Sequence, residues 1–376
     1  MIYRPYGKTG FSSSLFGMGC MRLPRVPGTE QIDTQQAVEM IRYAIDHGVN
    51  YLDTAYTYAG SEETVGRALQ DGYRARVKIA TKVPAREVQS HEDVRRIVHE
   101  QMQRLGVDFI DFYLIHRIEH TTWPYIKEID MVGALDELKR EGLIGGVGFS
   151  YHDDYSVFEE ILNFYDWDMC QVQQNFLDVD KEVTEKGIRL AGQKGVALVI
   201  MEPLRGGALV NLPKEAKAVF AAHGEQRTPV DWAFRHLYNY PEISSILSGV
   251  SSMEQLKENL TYFEDPSDVT PNCLSEADVQ MLREVKAILE KKTLIGCTGC
   301  FYCMPCPSGV KIPNVFSLYN DASIFDDVQA SRFGYSMQKR FGGAADLCTA
   351  CGACERVCPQ HLPIIETLQK VEQMLG

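Results

Sequence analysis

The chain has no apolar run of the roughly 18 residues that a membrane-spanning helix requires. Its opening stretch, MIYRPYGKTG, holds no apolar segment of signal-peptide length. Positive charge is also short: 38 Lys and Arg stand against 51 Asp and Glu, a formal net charge of −13. Phosphate backbones bind to basic faces, so this balance argues against nucleic acid as the main partner. Cysteine is scarce over most of the length, with only Cys20, Cys170 and Cys273 before residue 290. Without an export signal such a chain is not a disulfide scaffold. These absences predict a cytoplasmic protein that engages neither membrane nor nucleic acid. With 45% apolar and 24% charged residues it is globular.

What is present divides unevenly. Eight of the eleven cysteines fall in the last 80 residues. That shift predicts a large domain over 1–290 and a small one over 291–376. In the large domain, short apolar runs alternate with amphipathic helical stretches. Candidate strands are 15–19, 50–53, 77–82, 111–116, 145–150, 170–175, 197–201 and 244–249. Helices are punctuated between them. Ser61 reads as an N-cap ahead of two acids, Ser90 and Asp93 form a capping-box pattern, and Gly106 reads as a stop. Strands that are apolar throughout and alternate with helices form parallel sheets. Eight such repeats in about 250 residues predict a closed (β/α)8 barrel. The alternative, an open doubly wound sheet, lacks its G-x-G-x-x-G after the first strand.

In such a barrel, chemistry sits at the C-terminal ends of the strands. Three successive strand ends carry Asp53, Lys82 and His116, and Tyr58 follows Asp53 in its loop. Each alone has an ordinary structural reading as a helix cap or a buried polar residue. Together they form a proton-handling set.

The segments LDTAYTYAGSE (52–62), IATK (79–82) and YLIH (113–116) resemble the aldo/keto reductases, in the same order, over roughly residues 2–290. The resemblance implies a barrel that reduces small carbonyl compounds with a nicotinamide cofactor, with a catalytic tetrad on Asp53, Tyr58, Lys82 and His116. A phenol is a poor acid at pH 7, and a nearby ammonium lowers its pKa. Lys82 would supply that charge, Asp53 would hold Lys82, and His116 would orient the substrate oxygen. The same resemblance implies nicotinamide contacts at Ser150 and Gln171, with Met201 where an aromatic ring is usual and Tyr151 where asparagine is usual. It puts Gly249, Gln255, Glu258 and Asn259 at the adenosine phosphate. No Lys or Arg lies from Gly249 to Gln255, so an NADPH preference is not expected. Arg205 is the first candidate to supply the missing charge. NADH remains open, and so does a site without nicotinamide.

The tail holds two cysteine runs. Cys348, Cys351, Cys354 and Cys358 precede Pro359 with the spacing of bacterial ferredoxins, and Cys297, Cys300, Cys303 and Cys306 precede Pro307 with a shorter last gap. Zinc is the alternative, but zinc sites use separated pairs. Each triple run would hold three irons of a [4Fe-4S] cluster, with fourth ligands exchanged: Cys358 for the first run, Cys306 for the second. The helical segments between and after the runs resemble α-helical dicluster ferredoxin-like domains. The expectation is therefore an oxidoreductase with carbonyl/alcohol chemistry in the barrel, electron transfer through two clusters, and a redox protein as partner. Two other readings stand: an electron-transfer protein whose barrel does not turn over, and an ordinary NAD(P)H reductase with structural clusters.

Overall fold

The computed structural model describes residues 1–29, 31–225, 227–297, 302–358 and 360–376. Cys300 and Pro359, both used above, lie outside the described residues. The described chain packs as two compact units, one of Met1–Gly206 with Val230–Ser275, the other of Gly207–Pro229 with Glu276–Gly376.

The first unit opens with a short antiparallel pair, β1 (Tyr3–Pro5) and β2 (Ser12–Ser14). Eight parallel strands follow: β3 (Phe16–Gly19), β4 (Tyr51–Asp53), β5 (Lys78–Pro84), β6 (Ile110–Ile118), β7 (Ile144–Tyr151), β8 (Met169–Gln173), β9 (Ala197–Met201) and β10 (Ile243–Ser248). They pair in sequence order, and β10 returns to β3 to close the barrel. Every expected strand is present, and closure removes the open-sheet alternative. The strands read as continuous apolar runs because both of their faces are covered: β5 is buried at every position after Lys78.

The β1–β2 hairpin was not legible, since three-residue strands carry too little alternation to register. Its connection has a clear role. Tyr6 is fully buried, with its ring 5.4 Å from Tyr51 and 4.6 Å from Phe112. Both partners lie near the starts of their strands, so Tyr6 and its neighbour Phe11 fill the N-terminal end of the barrel. The other end is left for chemistry.

Helices wrap the barrel with their apolar stripes inward. Thr34–Asp46 buries Ala37, Met40, Ile41, Ala44 and Ile45, a three-to-four-residue repeat. Ser90 caps His91–Leu105 by accepting from the Asp93 amide, and Gly106 ends that helix in the left-handed region at φ +64°. Asp93 reaches back to this cap by a variant of the expected box: its carboxylate accepts from the Ser90 hydroxyl at 3.2 Å and from the Gln89 amide at 3.0 Å. Ser61 is corrected. It is the first residue of Ser61–Ala68, whose cap is left-handed Gly60, and its hydroxyl donates to the Cys20 carbonyl at 2.8 Å. The sequence cue failed because that carbonyl, 41 residues away, outcompetes the local amides.

The second unit is helical: Glu276–Lys291, Ile312–Ile324, Val328–Arg340 and Ile364–Leu375 are its longest elements. The last three are the tail helices expected from sequence. Their core is formed by Val310, Val315, Phe316, Tyr335, Leu368 and Val371 with their neighbours. The unit takes in 207–229 and 276–291, segments that the composition shift at residue 290 does not mark. Among the described residues no helix is long and apolar enough to cross a membrane.

Candidate functional site

Parallel strands in a barrel deliver their last residues to one end. Asp53 is the last residue of β4, Lys82 the fifth of β5, His116 the seventh of β6, and Tyr58 stands in the turn after β4. The four candidate tetrad residues are thus brought together. Lys82 is fully buried, and its ammonium donates to Asp53 Oδ1 at 2.7 Å and to the Thr54 carbonyl at 2.8 Å. Burial alone would lower its pKa, but the Asp53 charge, with Tyr58 adding to it, leaves it raised. Lys82 therefore stays cationic inside the barrel.

The Tyr58 ring faces this charge, with Lys82 Nζ 5.3 Å from the ring centre. His116 meets the same ring edge-on, centres 5.9 Å apart. The net direction of the phenol differs from the sequence expectation. Burial raises the Tyr58 pKa, and Lys82 works against that rise without reversing it. His116 is pushed down to about 3, first by burial and then by Lys82, His152 and Arg117. It is a neutral imidazole at pH 7, with Nδ1 3.4 Å from the Thr57 hydroxyl. A local irregularity aims it. The β6–β7 register shifts between Ile115 and Ile118, and Arg117 sits at φ +58°. Ser150 holds this kink by accepting from the Arg117 amide at 2.8 Å.

The expected nicotinamide residues are placed as follows. Ser150 and Gln171 are buried on neighbouring strands in direct register. Gln171 donates to Asp53 Oδ2 at 2.8 Å, a link no local pattern suggests, because 118 residues separate the two. Met201 ends β9 half-buried. Tyr151 is turned away from the barrel interior into the helix layer, against Phe149 and Phe158. Its departure from asparagine is explained by core packing. Gly249 directly follows β10. The Gln255 side chain is folded back, its Oε1 accepting from the Ser251 amide at 2.9 Å. Glu258 accepts from the Tyr262 hydroxyl, and Asn259 donates to Ser248. Arg205 is paired with Asp178 at 3.4 Å.

Sequence reading missed an acidic group at the same mouth. Glu182, burial-raised to about 8, stands near Asp178, Glu202 and Asp153, with His152 3.9 Å away. His152 is lowered to about 4 by burial, then by Arg117 and Lys82. These residues lie in loops after different strands, so only the closed barrel gathers them.

In the second unit, Cys354 and Cys358 belong to the apolar core, and Cys297, Cys303, Cys306 and Cys348 pack against it. Cys351 is exposed, and Cys300 lies outside the described residues. The Ala350 amide points at Cys348 Sγ, 3.5 Å away. The donor set, all sulfur and flanked by apolar side chains, fits iron–sulfur ligation. Among the described residues no three His, Cys, Asp or Glu side chains converge on a single-ion site.

Comparison with known proteins agrees with both halves. Residues 16–270 match the aldo/keto reductase family, and residues 296–363 match a 4Fe-4S dicluster domain. An Escherichia coli (strain K12) protein named NADH-specific methylglyoxal reductase is 27% identical over 334 residues, spanning 76% of this chain and 99% of the relative. The holo form of aldo-keto reductase AKR11C1 from Bacillus halodurans superposes with a TM-score of 0.64 at 25% identity, covering 76% of this chain and 96% of that one. An aldo-keto reductase from Klebsiella pneumoniae in complex with NADPH shares the fold at 22% identity, with a TM-score of 0.62, 76% of this chain and 96% of that one. This chain belongs to the aldo/keto reductase family, as an oxidoreductase whose (β/α)8 barrel is followed by a 4Fe-4S dicluster domain.

Proposed function

We propose that this protein interconverts a small carbonyl compound and its alcohol at the C-terminal mouth of the barrel, with Tyr58 as acid/base, and that two [4Fe-4S] clusters in the tail exchange electrons with this chemistry. The supporting observation is the buried Lys82–Asp53 pair facing the Tyr58 ring. A bound reduced nicotinamide supplies hydride to the carbonyl carbon. The Tyr58 hydroxyl gives its proton to the carbonyl oxygen as negative charge develops there. The phenolate left behind is stabilised by the Lys82 ammonium, which Asp53 keeps protonated and in place. Neutral His116 donates to the same oxygen and orients it. In the alcohol-to-carbonyl direction Tyr58 takes the proton back.

The reading is supported by glycines at the strand ends, where the backbone can approach a dinucleotide. The atoms nearest a Cβ on Gly249 would be those of the Arg22 side chain, at 3.6 Å, and the atom nearest one on Gly19 would be the Ser248 carbonyl oxygen, also at 3.6 Å. Ser150 and Gln171 would hold the nicotinamide amide, Met201 would pack on its ring, and Gly249, Gln255, Glu258 and Asn259 would line the adenosine end. With no basic residue from 249 to 255, NADPH should not bind more than about tenfold tighter than NADH. The named specificity of the Escherichia coli relative points the same way.

In the tail, Cys297, Cys300, Cys303 and Cys358 would hold one cluster and Cys348, Cys351, Cys354 and Cys306 the other. Bound clusters would supply one-electron transfer; because hydride carries both electrons of carbonyl reduction, they would exchange electrons with the barrel site's nicotinamide or with a redox partner, not with the carbonyl itself. Thiols kept reduced for this purpose suit the cytoplasm, and a small redox protein would be the electron partner. The test is anaerobic protein followed by visible and EPR spectra during turnover with NADH, NADPH or a chemical reductant. Clusters that change oxidation state with turnover support the proposal. Silent clusters make them structural, and no turnover with any reductant leaves an electron-transfer protein.

A further inference from the structure

The mouth must neutralise the two charges of a dinucleotide's pyrophosphate, yet the segment 249–255 contains no cation. The fold supplies one from elsewhere. Arg22 lies in the loop after β3, 227 positions before Gly249 and outside any phosphate-binding pattern. Its Cβ, Cγ and Cδ lie 3.6–3.7 Å from where a Cβ on Gly249 would stand. Its Nη2 lies 3.1 Å from the corresponding point on Gly206, a residue at φ +66°. The stem therefore crosses the end of β10, and the head reaches the loop after β9. Both contacts are at glycines: a Cβ at Gly206 would crowd the guanidinium, whereas one at Gly249 would sit in ordinary contact with the arginine stem. A side chain at Gly206 would also be strained.

We propose that Arg22 is the cation for the pyrophosphate of the nicotinamide dinucleotide. This rests on the nicotinamide reading above. Its position selects the pyrophosphate over the 2′-phosphate. Gly206 follows Met201 by five residues and Gly249 precedes Glu258 and Asn259 by nine and ten, so Arg22 touches the segments that carry the two candidate ends of the dinucleotide site. The 2′-phosphate belongs near Gln255, which is folded onto Ser251. Arg205 is held by Asp178. A guanidinium presents two parallel donors to phosphate oxygens, which a single ammonium cannot match. One carboxylate competes. Glu202 Oε2 lies 3.8 Å from the same Gly206 point that Arg22 approaches.

The experiment is binding to the full anaerobic chain, followed by tryptophan fluorescence or calorimetry, with NADH, NADPH and ADP-ribose as probes. Arg22→Gln should weaken all three about 10- to 100-fold, or about 1.4–2.7 kcal/mol. The NADH-to-NADPH ratio should stay the same, and the salt dependence of binding should become shallower. Arg22→Lys should recover part of the loss, because it restores charge without the bidentate fork. Glu202→Gln should tighten all three. Unchanged affinity in Arg22→Gln overturns the proposal, and so does a loss confined to NADPH, which would move Arg22 to the 2′-phosphate. A wild-type chain that binds ADP-ribose, NADH and NADPH not at all overturns the nicotinamide reading itself. Arg22 is exposed, so Arg22→Gln should melt with wild type. If it does not, the contrast between Arg22→Lys and wild type at equal stability decides.

Discussion

Lys82 Nζ stands 2.7 Å from Asp53 Oδ1, with both side chains sealed inside the barrel and Gln171 holding the other Asp53 oxygen. Removing either charge strands the other. Lys82→Met should therefore abolish turnover and also destabilise the barrel by about 3–5 kcal/mol, the usual cost of an orphaned buried charge. Asp53→Asn keeps a hydrogen-bonding group beside Lys82 and should do less harm to both. Kinetics alongside chemical denaturation separate the two effects. A Lys82→Met protein as stable as wild type would contradict the pairing.

Tyr58→Phe tests the proton step alone. The ring remains, so nucleotide and substrate binding should change little, while turnover falls about 10²- to 10⁴-fold. Wild-type kcat in this variant would remove Tyr58 as acid/base.

Stability should peak near pH 6.5. Unfolded histidine takes a proton near 6.5, but folded His116 and His152 do so only near 3 and 4. Below pH 6.5 the unfolded chain thus binds more protons, and acidification destabilises the fold by up to about 1.4 kcal/mol per pH unit for each group. Glu182 has the opposite sign. Its folded pKa of about 8 lies above the unfolded value near 4.5, so its stability is lost as pH rises toward 8. Melting temperatures from pH 5 to 8.5 should show the maximum. Glu182→Gln should flatten the alkaline side, and a curve unchanged by that substitution would refute the assignment.

A buried network outside the barrel mouth should matter for folding only. Glu62 accepts from Thr81 at 2.7 Å, Gln101 at 2.6 Å and Arg104 at 3.1 Å, and Tyr113 donates to Gln101. It ties β5 and β6 to the helices Ser61–Ala68 and His91–Leu105. Gln101→Leu should cost about 1–3 kcal/mol for each partner left unpaired, with kcat unchanged.

For the tail, anaerobic protein should carry about eight irons per chain if, as proposed, the two runs form two complete cubane ligand sets. Cys306→Ser should damage the same cluster as Cys354→Ser if fourth ligands are exchanged between the runs. Damage instead to the cluster of Cys297 and Cys303 would mean that each run closes its own. Two colourless four-coordinate ions would exclude the redox reading.

The barrel itself was written locally. Its eight strands read as continuous apolar runs because both faces are buried, and their helices carry their own apolar stripes and stops, Gly106 among them. The strand-end residues Asp53, Lys82 and His116 were legible for the same reason, since a parallel barrel delivers every strand terminus to one end. The 4Fe-4S dicluster domain was legible because its cysteine runs are spaced along a few residues of chain. What the sequence could not determine were relationships between distant segments. Ser61 looked like a cap until the Cys20 carbonyl claimed its hydroxyl. Tyr151 looked like a substituted cofactor contact, and packing against Phe158 turned it into the core. Gln171 met Asp53, and Arg22 met Gly206 and Gly249, only because closure of the sheet brought β3 beside β10. Side-chain partners that lie a hundred or more residues apart are set by sheet closure and burial, and no local pattern in the sequence encodes them.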